Sequence, residues 1–317
     1  MPLLTRKRVI LIEQESSYST DPTPSSTDAV LVRDLTITPQ QSDVVSRDLV
    51  RPYLGASEQL LANTRVECTF SVELAGSGTS GTPPRYSSAL KACGMSEAIT
   101  DEVSGGGNDT VTYTPLSASF PSVTIHYNLD GVRHRVTGAR GTVTLTAEVG
   151  AIPTLDFTMQ GIYVAPDDAT LPTVSYGNQA SPLIFKDGNT SNFEILSFSG
   201  ALQSFNFDIG NELVYQELIG GTKQVLLTDR QSNGTLTIEA PTIAQKDFFA
   251  AALQDSSLGN LKFTHGTTTG NIVQFLSTKV DIGDVNYGDI DGIASLEIPY
   301  TLVPSTAGND EFSLIYT

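Results

Sequence analysis

The sequence predicts a mainly β protein in which one fold is written twice along the chain. Short runs rich in Val, Ile, Thr and Phe are separated by Gly, Asn, Asp and Pro turns, which is the pattern of strands. Helical pattern is confined to one short segment in each half. At 317 residues the chain is long enough for two domains, each with its own core.

The clearest strands are Val123–Tyr127 and Val132–Val136. Asp130-Gly131 between them supplies the positive φ angles that a tight hairpin turn needs. The segments Thr142–Val149 and Leu155–Gln160 continue the predicted sheet.

The two predicted helices, Pro84–Met95 and Ala244–Leu253, lie at matching points of the repeat. The order of the elements around them agrees over roughly 120 residues per half, which indicates an internal duplication. The matching segments are Ser42–Val50 with Gly210–Ile219, Gln59–Thr64 with Gln224–Asp229, Thr69–Leu74 with Thr235–Ala240, and Leu155–Phe157 with Leu296–Ile298.

We therefore expect an N-terminal arm at 1–30, a first domain at 31–166, a linker at 167–182 and a second domain at 183–317. Within the arm, the apolar strand Val9–Ile12 leads into a polar, Pro-containing stretch. Such a segment is either a fraying terminus or an arm that packs on a neighbouring molecule. The extra loop of the first half, 100–121, contains three successive glycines and is expected to be exposed and mobile.

The composition excludes several classes of protein. No apolar run approaches the ~18 residues of a membrane span. The run Val9–Ile12 is shorter than the ~7–15 residues of a signal peptide, so we expect a protein made and kept in a cytoplasm. In that reducing compartment Cys68 and Cys93 are expected to be buried thiols. The net charge of −17, with 18 basic against 35 acidic residues, disfavours nucleic-acid binding, but an acidic wall leaves DNA free to slide past.

No motif predicts catalysis, a cofactor or a metal. Gly76–Gly81 fits the dinucleotide fingerprint, but the surroundings are antiparallel β and a flexible connection is expected. Asp284–Gly292 lacks the glutamate of a calcium loop and is expected to be an acidic turn. His126 and His134 are predicted to face each other across a hairpin without a third ligand.

Two long hairpins, Val44–Leu61 and Leu213–Leu227, mix apolar with charged residues. Such hairpins suit a wall shared between subunits, because free strand edges pair with neighbours. Heterologous contacts of this kind close into rings, and rings can stack into a tube. Two similar domains per chain then predict three chains per ring with six quasi-equivalent positions.

Five stretches resemble tail tube proteins of siphophages that infect Pseudomonas and related hosts. They are Asn63–Tyr86 running into Leu90–Gly94, Tyr127–Val132, Thr137–Thr142, Thr235–Thr242 and Phe263–Asn271, and the ending Leu302–Glu311 is similar as well. The resemblance implies a β-barrel or sandwich with a flanking helix in each domain, and a structural virion protein rather than an enzyme.

The resemblance also implies partners. The chain itself would form stacked rings, the tape measure protein would fill the lumen before DNA travels through it, and tail terminator and distal tail proteins would hold the ends. Relatives hold the next ring with an N-terminal arm or a long loop, which suits Val9, Ile10, Leu11 and Ile12 or the loop 100–121. We expect the lumen to be acidic and polar, and the hairpins offer Asp43, Asp48, Glu58, Glu212, Glu217 and Asp229.

The rival interpretation is a two-domain β-sandwich adhesin or virion decoration protein, whose composition would look similar. Tryptophan is absent and aromatic residues make up 8% of the chain, which disfavours carbohydrate binding. A hydrolase on a β scaffold is disfavoured because no catalytic constellation accompanies the strands.

Overall fold

The computed structural model describes residues 2–101, 109–254 and 258–317. The strands of the first half are β1 Arg8–Gln14, β2 Ala29–Val30, β3 Arg33–Ser46, β4 Gln59–Glu73, β5 Met95–Thr100, β6 Thr110–Pro115, β7 Val123–Leu129, β8 Val132–Glu148, β9 Thr154–Tyr163 and β10 Asp167–Asp168. Those of the second half are β11 Thr190–Ile195, β12 Leu202–Asp208, β13 Asn211–Gln216, β14 Gln224–Arg230, β15 Asn233–Glu239, β16 Gly259–His265, β17 Val273–Ile282, β18 Asn286–Ile290, β19 Ile293–Leu302 and β20 Ser313–Tyr316.

Two short helices accompany the strands, α1 at Ser87–Ala92 and α2 at Phe248–Ala252. Both fall inside the segments predicted from the sequence. Helix α1 buries Ala89 and Leu90, and α2 begins at Asp247, whose side chain accepts from the Ala250 amide. The mainly β fold with one helix per half is therefore confirmed.

The same strand pairing occurs in both halves. Strand β1 pairs with β7 as β11 pairs with β16, and β4 pairs with β9 as β15 pairs with β19. Strand β8 lies between β7 and β9 as β17 lies between β16 and β19, and each half ends on a strand, β10 or β20, that pairs with the start of β8 or β17. The predicted boundaries of the arm, domains and linker stay predictions, but β1 has a counterpart in β11.

The predicted hairpins are confirmed. Leu129 lies opposite Val132, and Asp130 and Gly131 between them have positive φ angles. In the hairpin of the second half, Leu213 lies opposite Leu227. Each half packs its inward-facing side chains into a common apolar core. There the rings of Phe263 and Phe275 stack, and Phe205 meets both of them edge-on.

The prediction of an exposed loop at 100–121 is wrong for residues 110–115, which form β6. Strand β6 pairs with β5 and with β20 from the far end of the chain, and Val111 and Tyr113 are buried. The short alternation of apolar residues went unrecognised because its partner β20 is distant in sequence. The glycines of that loop, Gly105–Gly107, lie outside the described residues.

The glycines of Gly76–Gly81 serve a contact between the two halves. The Gly76 amide donates to the side chain of Asn271, and the Gly78 amide donates to the carbonyl of Gly270. A Cβ at Gly76 would lie 2.1 Å from that carbonyl oxygen. The segment is thus a packed connection between halves.

Candidate self-assembly surfaces

The strongest candidate surface is a sheet that runs through both halves. Its order is β3, β4, β9, β8, β12, β15, β19 and β18, and every neighbouring pair is antiparallel. The first four strands come from the first half, and their counterparts follow in the same order from the second. Within the described ranges, β3 and β18 have no strand on their outer sides, so both ends of this sheet are free.

The two halves meet at the pairing of β8 with β12. Phe207 lies opposite Leu145, and Asn206 lies opposite Thr146. The part of β8 that pairs with β12, Thr144–Glu148, corresponds to β18, whereas the earlier part of β8 corresponds to β17. Strand β12 corresponds to β3. The two strands that pair at this internal junction are therefore the counterparts of β18 and β3, the two strands whose outer edges are free.

The free edge at β18 exposes a residue whose counterpart is buried. Leu145 lies opposite Leu155, and Tyr287 lies opposite the matching Leu296. Leu145, which lies beside β12 and points into the core, is 2% exposed, whereas Tyr287 is 68% exposed. A large apolar side chain at a free strand edge indicates a surface that another strand covers.

One face of this sheet is polar along its whole width. Inward-facing Val, Phe, Leu and Ile alternate with outward-facing Thr, Ser, Asn, Asp and Glu in each central strand. The arginines on its strands β3 and β4 are Arg33 and Arg65. Its acidic residues are Glu67, Glu73, Glu148, Asp156, Asp208, Glu239 and Glu297.

The six acidic residues proposed from the sequence all lie on the two long hairpins, beyond the polar face. All six are exposed. Asp43 accepts from Asn63 and Arg65, which lower the pKa of its carboxyl, and Asp48 accepts from Ser46. Glu58 pairs with Arg47 at 2.9 Å.

In the second hairpin, Glu217 pairs with Lys223 at 2.7 Å, which lowers the pKa of its carboxyl. Bonds from the Gln231 side chain and the Arg230 amide lower the pKa of Asp229. Glu212 lies opposite Asp229 in the β13–β14 pairing. A role in a lumen stays a prediction for all six residues.

The β13–β14 hairpin packs on the first half of the chain. The Asn211 side chain donates to the carbonyls of Cys93 and Gly141, and the Tyr215 hydroxyl donates to the carbonyl of Thr64. Val225 at its centre is fully buried. We call the surface of the first half that receives this hairpin the first socket.

Among the residues that the structure describes, nothing covers the matching part of the β3–β4 hairpin in this way. Leu60 follows Gln59 as Val225 follows Gln224, and both glutamines close their hairpins. Leu60 is nevertheless 49% exposed. The exposed apolar residues of this hairpin are Val44, Val45, Leu49, Val50, Tyr53, Leu54, Leu60 and Leu61.

The candidate arm residues Val9, Ile10, Leu11 and Ile12 lie inside the fold. They form the middle of β1, which pairs along its length with β7, and their side chains are at most 8% exposed. Contact with a neighbouring ring stays a prediction for these residues.

The histidine prediction is wrong in one respect. His126 lies opposite Arg135, and His134 lies opposite Tyr127, because the two-residue turn at Asp130-Gly131 places Leu129 opposite Val132 and so fixes the register of both strands. His126 is buried against Asp21, and burial lowers its pKa. The two imidazoles are thus on opposite faces of the hairpin.

The expectations for the two cysteines and for the acidic turn agree with the structure. Cys68 and Cys93 are free, buried thiols, and burial raises the pKa of Cys68 to about 12. The acidic turn after β18 is a tight hairpin in which the Asp289 side chain accepts from the Gly292 amide. Among the described residues, no three His, Cys, Asp or Glu side chains are grouped as metal ligands.

Comparison with protein families identifies a match over most of the chain. The model of a family described as "Phage tail tube protein" matches residues 5–302. No curated protein matches the chain. No helix in the described ranges has the length and apolarity needed to cross a membrane.

Proposed function

This chain belongs to the phage tail tube protein family, a family of structural virion proteins rather than enzymes, and from that premise we propose that three copies close into a ring and that rings stack into the tail tube. The internal junction carries the proposal. Since β8 joins β12 within the chain, their counterparts β18 and β3 are suited to join between chains.

The internal junction supplies the register of the proposed contact. Ile37 lies opposite Cys68, and Phe207 lies opposite Gly234. Cys68 and Gly234 precede the matching threonines Thr69 and Thr235, so Ile37 corresponds to Phe207. Ile37 of one chain would then lie opposite Tyr287 of the next, and Thr36 opposite Gly288. This pairing covers Tyr287 and satisfies the open backbone groups of both edges.

The hairpins support the same ring. If β3 joins β18 of a second chain as β12 joins β8, the base of the β3–β4 hairpin comes to lie on the second half of that chain, where we define the second socket. Leu60 and Val45 would be buried there as Val225 is in the first socket. Three chains give three internal and three external junctions, and the sheet closes on itself.

We propose that the polar face of the closed sheet lines the hollow. Its carboxylates would repel DNA phosphates, so a strand passes without being held. The six hairpin carboxylates predicted from the sequence would extend this acidic wall at one end of the ring. The same lumen would hold the tape measure protein before DNA ejection.

The hairpin tips are our proposed contacts between stacked rings. Both hairpins leave the sheet at the same end, and their tips expose Val50 and Leu54 in one and Leu218 and Ile219 in the other. These side chains offer an exposed apolar surface. Val9–Ile12 offer none, because they are buried in β1 while it pairs with β7. Terminator and distal tail proteins of a siphovirus tail would then cap the ends of the stack, in a virion assembled in the host cytoplasm.

Electron microscopy of the purified chain tests this function. We expect rings and short tubes whose reconstruction shows three chains around a central hollow. Scattered single particles at every concentration would support an adhesin or decoration protein instead. Rings with six chains, or a strongly basic bore, would contradict the proposed arrangement.

A further inference from the structure

The two halves differ in the connection between their first two long strands. In the first half, residues 15–32 connect β1 to β3. In the second half, residues 196–201 make the equivalent connection from β11 to β12. The longer connection reaches the first socket and has no counterpart at the second.

Glu15 fixes the start of this connection. Its buried carboxylate accepts from the hydroxyls of Ser122 and Thr124 and from the amides of Ser19 and Gly138, at 2.6 to 2.7 Å. Four donors satisfy a carboxylate that would otherwise be costly to bury. The turn that follows Glu15 is therefore held firmly on β7 and β8.

Tyr18 on this turn binds the docked hairpin. Its hydroxyl accepts from the Val225 amide at 2.7 Å and donates to the Gly138 carbonyl at 3.1 Å. Burial raises the pKa of Tyr18, so the hydroxyl keeps its proton at neutral pH. Gly138 leaves the room for the ring, because a Cβ there would lie 2.8 Å from it.

Arg140 completes the hold on the same residue of β14. Its guanidinium lies 4.9 Å from the centre of the Tyr18 ring and donates to the Val225 carbonyl at 2.7 Å. Both backbone groups on the outer side of Val225 are thus bound by side chains of the first half. We call Tyr18 and Arg140 the clasp.

The second socket has different residues at the clasp positions. Arg140 lies opposite Gln160, and Asp281 lies opposite the matching Thr301. Asp281 therefore stands where the first half has Arg140, and Lys279 stands where it has Gly138. A lysine side chain occupies the place that glycine leaves open for Tyr18, and an aspartate cannot donate to a carbonyl.

We propose that the clasp decides which hairpin fills which socket. This proposal rests on the proposed ring, in which the two hairpins are nearly equivalent and so are the two sockets. The clasp retains each β13–β14 hairpin on its own chain, so the second socket is the one left open to a neighbouring chain. First and second halves then alternate around the ring. Each chain contributes one unfilled socket, the second, and one undocked hairpin, β3–β4.

The test compares Tyr18→Phe with the control Tyr176→Phe, which alters an exposed tyrosine. Phenylalanine keeps the ring against Arg140 and removes both hydroxyl bonds. Hydrogen exchange of the unassembled chain should be about fivefold faster in the 224–226 segment of Tyr18→Phe, since one hydrogen bond is lost. Native mass spectrometry of the assembled protein should then show assemblies of two and four chains beside three.

Two results would overturn the inference. One is unchanged exchange in 224–226; the other is faster exchange with assemblies that still contain three chains only. If the wild-type chain forms no rings, the proposed function fails and the sorting role fails with it. Even then the exchange measurement reports separately whether Tyr18 holds the hairpin.

Discussion

The β13–β14 hairpin and the base of the β3–β4 hairpin are the same element of the repeat in two surroundings. The first lies in a socket with Val225 buried, and the second leaves Leu60 half exposed. The matching strands of the sheet show the same contrast. Leu145 is buried where β8 pairs with β12, whereas Tyr287 is exposed on β18 at the free edge. The difference between the halves thus outlines the surface that a second molecule would occupy.

The largest expected effect is on stacking, and it distinguishes the role of the hairpin tips from that of the hairpin bases. Ser46 lies opposite Gln59, so replacing residues 47–58 with Asn-Gly gives a closed two-residue turn. We expect this variant to fold and to form rings but no tubes, because the apolar tip is gone. Microscopy of rings against tubes measures the effect.

A matched variant sharpens this prediction. Gln216 lies opposite Gln224, so residues 217–223 can be replaced in the same way. This shorter tip is expected to weaken stacking without abolishing it. Normal tubes from the 47–58 variant would contradict the role of the tips.

The second prediction compares the two sheet edges. Leu145→Ala should lower the free energy of unfolding of the single chain by about 2–5 kcal/mol, because it opens a cavity in the core. Tyr287→Ala removes an exposed ring that contacts Phe249, so it should change the free energy of unfolding by only about 1 kcal/mol. It should weaken association at least tenfold. Chemical denaturation and analytical ultracentrifugation provide the two readouts.

If Leu145→Ala and Tyr287→Ala destabilised the single chain equally, the proposed difference between the paired strand and the free edge would be contradicted. It would also be contradicted by Tyr287→Ala chains that associate as tightly as the wild type, since the exposed tyrosine would then have no partner.

The third prediction concerns the bases of the hairpins. Val225→Ala should lower the free energy of unfolding by about 1–3 kcal/mol, since a buried side chain loses two methyl groups. Leu60→Ala should leave the single chain unchanged within about 0.5 kcal/mol and weaken ring formation several-fold. An association constant of Leu60→Ala equal to that of the wild type would exclude the second socket as its site.

Local patterns in the sequence predicted much of the fold. The turn at Asp130-Gly131, both helices and the two long hairpins follow from short-range signals, and the matched segments indicated the repeat. The surfaces were harder to predict because they depend on which strands become neighbours. The polar face is assembled from eight strands, and its acidic residues are scattered from Glu67 to Glu297.

Two predictions were wrong, and each has a physical cause. Strand β6 is stabilised by β20, some 200 residues further on, and no local pattern reveals that partner. The predicted facing of His126 and His134 was wrong by one residue, because the two-residue turn sets Leu129 opposite Val132. A one-residue difference in register turns side chains to the other face.

Cross-linking between chains tests the central claim most directly. Thr36→Cys with Gly288→Cys puts two thiols opposite each other in the proposed pairing of β3 with β18, at a spacing that suits a disulfide. Thr36→Cys with Asp289→Cys is the control, because its thiols point to opposite faces of the sheet. The native Cys68 and Cys93 are buried and should not react.

Upon oxidation of assembled protein, we expect the first pair to give covalent products of two and three chains, ending at three, and the control to give none. Products that continue beyond three chains, or equal products from both variants, would contradict a ring of three chains closed by β3 and β18.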